Sequence, residues 1–216
     1  MARMPGKRRA KPTVVLLVRH GHTPTTGKLL PGRARGLHLS DHGRAQAQAV
    51  ADRLAELTKI DAVYSSPLER TRETAAPIAA AHALKVQVDR GLLEADVGEW
   101  TGWELKRAAK TPEWKTVQRR PSGFRFPAGE SMAEMQVRMT NALDRLRTRH
   151  PGATIVAVSH ADPIKAAAID ALGSHLDQFQ RISISPCSVT AIVYGEGAPM
   201  VLALNSTGSL KELAPS

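Results

Sequence analysis

The stretch VLLVRHGHT, residues 15–23, sets four aliphatic side chains directly before an arginine, a histidine and a glycine. Val15, Leu16, Leu17 and Val18 form an unbroken apolar run, the pattern of a short strand buried on both faces of a sheet. A guanidinium at the end of such a strand is costly to desolvate unless an anion meets it. Either the strand reaches the surface at Arg19, or Arg19 has an anionic partner. The rest of the chain decides between the two.

Residues 21–41 are rich in Gly, Pro, Thr and His and read as a loop. GRAQAQAVADRLAEL then places Ala47, Val50, Ala51, Leu54 and Leu57 on one helical face. IDAVYSS is a second short strand. The helix in SPLERTRETAAPIAAAHAL is expected to start with Ser66 as N-cap, Pro67 at its first position and Glu69 three residues after the cap, and to kink or break at Pro77. KVQVD alternates as a third strand. A long helix begins at Ser131 with a capping box through Glu134 and turns Met135, Met139, Ala142, Leu143 and Leu146 inward. ATIVAVSH is a fourth strand, and DPIKAAAIDALG a helix with Asp162 as N-cap and Pro163 behind it. SVTAIVYG and PMVLALN close the chain as strands.

Strands alternating with helices imply a three-layer α/β/α sandwich with a mostly parallel central sheet. Residues from about 94 to 130 differ in character, carrying Trp100, Trp103, Trp114, several Gly and Pro, and one short helical piece at 104–110. They read as a small cap insertion folding over a site, with the tryptophans packing inside it. His20 and His160 each follow directly after a buried-type strand. In open α/β sheets that edge is where ligands collect.

Length and composition fit one domain: 216 residues, 42% hydrophobic, and no apolar stretch long enough to cross a bilayer. The net charge of +10 is concentrated partly in MARMPGKRRAKP, a basic disordered tail over 1–12 with no apolar stretch of a secretory signal. A cytoplasmic protein is therefore expected. With aromatics at only 4%, nucleic acid is not expected as a partner beyond weak contact by the tail, and small anionic substrates fit the charge better. The lone Cys187 excludes an internal disulfide and a CxxC metal site, and reads as a small packed hydrophobe. No carboxylate cluster resembles a Mg²⁺ site, so neither metal nor other cofactor is expected.

Five ordered blocks, LVRHGHT, SSPLERTRETA, LLEADVGEWTG, FPAGES and VSHAD, resemble those of the histidine phosphatase, or phosphoglycerate mutase-like, superfamily. The resemblance runs from Val14 to Asn205. Near the C-terminus FQRI, PCSV and NSTG resemble a bacterial group of phosphomutases and phosphatases within it. It implies one phosphoglycerate mutase-like domain over 13–210, with 211–216 as a C-terminal tail. It also implies that His20 is a nucleophile becoming phosphohistidine, that Arg19 and Arg70 grip the phosphate, that His160 completes the pocket, and that Glu94 is the proton donor. Thr23 and Arg33 are second-tier substrate contacts, and His22 stays open as a third. The remaining histidines read as solvated or structural.

The sequence departs from the family at Ala161, where glycine is usual and lets a backbone amide approach phosphate. Alanine fits there if its φ is negative. The activity implied is metal-independent hydrolysis of phosphate monoesters in small phosphorylated metabolites, with no membrane role. A phosphomutase of the phosphoglycerate mutase type and a catalytically weak binder of phosphorylated ligands are the alternatives. Homodimers are common in chains of this likeness.

Overall fold

A computed structural model of the chain describes residues 11–208. Its strands are β1 (Thr13–Arg19), β2 (Ala62–Ser65), β3 (Val86–Val88), β4 (Thr154–Ser159), β5 (Val189–Tyr194) and β6 (Met200–Ser206). Its α-helices are α1 (Asp41–Ala55), α2 (Glu69–Ala81), α3 (Leu105–Ala108), α4 (Pro112–Arg119), α5 (Met132–Arg149) and α6 (Ala161–Ala171). The strands make one sheet in the order β3-β2-β4-β1-β5-β6, parallel from β3 through β1, with β5 antiparallel to both β1 and β6.

Side-chain alternation along β1 builds the layers. Val14, Leu16 and Val18 enter a core with Ala47, Val50 and Leu54 of α1 and Ala75 and Ile78 of α2. Val15 and Leu17 enter a second core with Met139, Leu143 and Leu146 of α5 and Ile164 of α6. Burial on both faces explains why β1 is apolar at every position rather than at every second one. The expected three-layer α/β/α sandwich is present, with all six expected strands.

Three helix starts or continuations differ from expectation. Helix α2 begins at Glu69, with Leu68 in the cap position and no side-chain cap bond. Ser66 is turned elsewhere: its Oγ lies 3.0 Å from His160 Nε2, and its carbonyl accepts from Thr71 Oγ1 at 2.9 Å. Pro77 does not break α2, because Ala75, Ile78 and Ala79 anchor the turns on both sides of it in the core. Helix α6 starts two residues early, with His160 in the cap position, extended at φ −123° and ψ 171°, and Asp162 inside the first turn. The capping box at Ser131 and Glu134 forms as expected.

The 94–130 segment has its own apolar centre. Trp100 stacks on Trp103 at 5.4 Å between centroids and meets Phe126 edge-on at 5.6 Å, over Met132 and Met135 of α5. Beyond the expected short piece, seen as α3, the segment holds α4, which the reading of the sequence missed. Its signal was local: Thr111 caps it by accepting from Trp114 N at 3.2 Å, and Pro112 occupies its first turn. Of the basic tail over 1–12, all but Lys11 and Pro12 lies outside the described residues, as does 211–216. Among the described residues no helix is long and apolar enough to cross a membrane.

Candidate active site

Strands β1 and β4 are neighbours, with Arg19 opposite Ser159, so the residues that follow them emerge side by side. His20 N donates to Ser159 O at 3.0 Å, and the His20 and His160 rings meet edge-on, 5.2 Å between centroids. The two histidines are buried at 6% and 0% exposure. His20 Nδ1 lies 2.8 Å from Gly21 O. A carbonyl only accepts, so Nδ1 carries the proton and Nε2 keeps its lone pair. Burial first, then the Arg70 and Arg19 guanidiniums, pushes His20 down to about 3; the Gly21 bond opposes this. Gly21 itself is required by packing, since a Cβ there would lie 2.5 Å from Gly43 O.

The two arginines are held by carbonyls rather than carboxylates. Arg19 Nη1 donates to Ile184 O at 2.6 Å, and Cys187 N donates back to Arg19 O at 3.0 Å. Asn205 fixes that turn by accepting from Ser185 N at 2.6 Å. The PCSV and NSTG blocks are thus the brace of Arg19. Cys187 is buried, its thiol pushed up to about 12 by that burial, which makes it the packed small residue expected.

Arg70 is fully buried and donates to Gly32 O at 2.8 Å and Ala34 O at 3.4 Å. Among the described residues neither Arg19 nor Arg70 forms an ion pair, and the Nε of each is buried without a hydrogen bond. Two desolvated cations held in no ion pair are costly to fold and are what an anion site requires. His160 adds a third orphan atom: Nε2 meets Ser66 Oγ, while the buried Nδ1 is unpartnered. Its basicity is pushed well below the usual histidine range, by burial and then by Arg70.

Glu94, half-buried after the 90–92 turn, lies within electrostatic reach of both guanidiniums. Burial and the nearby Asp162 carboxylate push its carboxyl up to about 7, against the Ala95 amide, Arg70 and Arg19, which pull it down. A clamp that sequence reasoning missed holds this residue. Arg138 of α5 donates to Gly91 O at 2.7 Å, Leu93 O at 2.9 Å and Glu94 O at 3.2 Å. Glu130 binds Arg138 twice, at 2.8 Å each. Arg33 closes the ring, donating to Glu94 O at 2.9 Å, Glu130 Oε2 at 3.0 Å and Asp96 Oδ2 at 3.3 Å. The FPAGES block was the available signal, since Glu130 stands in it.

The structure therefore gathers Arg19, His20, Arg70, Glu94 and His160, and separates the second-tier residues. Arg33, expected as a second-tier substrate contact, makes three bonds, to Glu94 O, Asp96 and Glu130. Thr23 is buried among hydroxyls, 3.0 Å from Thr26 Oγ1 and 3.2 Å from Thr25 Oγ1. His22 is tied to Ser40 Oγ at 3.0 Å. Ala161 is the first residue of α6 and is not among the positive-φ residues, so alanine fits and its amide points out of the helix start beside His160. Among the described residues no group of three or more His, Cys, Asp or Glu is placed to hold a metal.

Comparison with known proteins finds relatives over most of the chain. Phosphoserine phosphatase 1 of Hydrogenobacter thermophilus is 34% identical over 203 residues, covering 92% of this chain and 94% of its own. An uncharacterised Mycobacterium tuberculosis protein, Rv0525, is 37% identical over 198 residues, covering 84% and 90%. The solved structure of an Entamoeba histolytica phosphoserine phosphatase mutant with phosphoserine superposes with a TM-score of 0.82 at 27% identity, covering 90% of this chain and 98% of that one. The profile of the histidine phosphatase superfamily (branch 1) matches residues 15–207, and the chain belongs to that family.

Proposed function

We propose that the chain is a metal-independent phosphatase that hydrolyses phosphate monoesters through a phosphohistidine on His20. The observation that carries this is the His20 ring, locked by Gly21 O with its Nε2 lone pair free, between two guanidiniums that have no carboxylate partner. Arg19, Arg70, His160 Nδ1 and the Ala161 amide receive the non-bridging oxygens of the phosphoryl group.

In the first step the Nε2 lone pair attacks phosphorus and the P–O bond to the leaving group breaks. Glu94, protonated because its carboxyl is raised to about 7, gives its proton to the departing oxygen, so an alcohol leaves. The cationic phosphoimidazole keeps its Nδ1 proton on Gly21 O. In the second step water attacks phosphorus, the Glu94 carboxylate takes the water proton, and the P–N bond breaks. Inorganic phosphate and neutral His20 result.

The phosphoserine phosphatase relatives support a small phosphorylated metabolite as substrate; the cytoplasm, where charged monoesters are retained, is the proposed place of action. The modest 94–130 segment favours access of water to the phosphoenzyme over its retention for transfer. Turnover of p-nitrophenyl phosphate by the wild type, abolished in His20→Ala, tests the reading. Phosphate released one-for-one with alcohol is expected; phosphoryl transfer to a second alcohol without phosphate release would make the chain a mutase instead. Absence of turnover in the wild type, with phosphate binding intact, would make it a binder.

A further inference from the structure

The carboxyl edge of the sheet carries more than the catalytic hollow. His20 and His160 follow β1 and β4; Ser66 follows β2, next in the row; and the 90–92 turn lies just beyond β3, at the end of it. A cavity of ≈ 350 Å³ is lined by Arg33, Arg35, Glu69, Arg72, Arg90 and Leu93, which come from the segments that follow β1, β2 and β3. Its lining residues adjoin the catalytic ones along the chain and through one hydrogen bond. Arg33 bonds the Glu94 carbonyl, Leu93 precedes Glu94, and Glu69 precedes Arg70.

The charge there is unbalanced. Arg33 is neutralised by Asp96 and Glu130, whereas the side chains of Arg35, Arg72 and Arg90 make no hydrogen bond or ion pair among the described residues. Three exposed arginines and the single Glu69 carboxylate line it, the acidity of Glu69 being increased by its own backbone amide and that of Gly36. Guanidiniums converging on a concave surface are matched in shape and charge to a phosphate or carboxylate group. A cavity of this size takes a group on a small molecule rather than a polymer.

We infer that Arg35, Arg72 and Arg90 form an anion subsite that receives a second negatively charged group on the substrate, whose ester phosphate lies against His20. The inference rests on the monoester reading and narrows it to substrates with two anionic groups. Binding to the His20→Ala protein tests it without requiring turnover, by calorimetry with butyl phosphate, butane-1,4-diol bisphosphate and 4-phosphonooxybutanoate. At physiological salt, charges farther apart than about 8 Å are largely screened, so a distant charge excess does not produce a preference.

The ligands with two anions are expected to bind about tenfold more tightly than butyl phosphate. Adding Arg35→Gln, Arg72→Gln and Arg90→Gln together should erase that lead and leave butyl phosphate affinity unchanged. The larger lead, for bisphosphate or for carboxylate, identifies the second group. Equal affinities for all three ligands, or a lead that survives the triple change, would overturn the subsite. The two readings fail separately. A wild type that turns over butyl phosphate without preferring the two-anion ligands loses the subsite alone. One that prefers them in binding but turns over nothing loses the phosphatase alone.

Discussion

A histidine that attacks phosphorus must hold a lone pair at working pH, and a general acid must hold its proton there. Burial between cations pushes His20 down to about 3, and burial beside Asp162 pushes Glu94 up to about 7, so both are in the required form across the acidic range. The pH profile of kcat/KM for an alkyl phosphate should fall on the alkaline side as Glu94 ionises. In Glu94→Gln that limb should vanish and the rate drop by about 10²–10⁴-fold. The loss should be smaller with p-nitrophenyl phosphate, whose leaving group needs less protonation. An unchanged profile in Glu94→Gln removes the acid role. Arg70 gives a second outcome. Its buried charge has no carboxylate partner, so Arg70→Met should leave the unliganded protein at least as stable while losing the rise in Tm that phosphate gives the wild type. Thermal melts with and without phosphate check both halves. These five residues were legible because each sits in a distinctive block; Arg138 was not, because one arginine on an amphipathic helix has no sequence mark of what it touches.

The elements turn that local chemistry into fixed geometry. The register of β1 on β4 places the two histidines, and α5 reaches across through Arg138 to hold the backbone of Glu94. Arg138→Met should therefore act on the acid and not on phosphate grip. A misplacement of about 1 Å costs about 10²-fold, so kcat should fall on that scale with KM little changed and the alkaline limb displaced. Equal losses in kcat and in phosphate affinity would mean a general disruption instead. All six strands could be read from the sequence because unbroken or alternating apolar runs have one physical meaning in a sheet. Helix starts were less legible. Ser66 has the composition of a cap, yet its hydroxyl turns to His160; Asp162 likewise gives way to an extended His160, and lies near enough to Glu94 to raise it. Local signals lost to tertiary partners at the residues nearest the site.

The whole molecule carries the cost of this site as a dependence of stability on pH. His20 and His160 have folded-state basicities below the unfolded value of 6.5, so their contribution is present above that pH and lost as pH falls below it, for His20 down to about 3. Glu94 works the other way: its contribution is present below 4.5 and lost as pH rises through about 7. With two groups against one, Tm should decline as pH drops below 6.5, and His20→Gln should soften the decline. A Tm that climbs steadily down to pH 4 would contradict the burial of both rings. The central claim concerns one atom, and rapid acid-free quenching during turnover of a ³²P-labelled monoester, followed by peptide mapping, reaches it directly. The label should sit on Nε2 of His20, the nitrogen that Gly21 leaves free. Phosphate on Nδ1, on another residue, or on none during turnover would contradict the account.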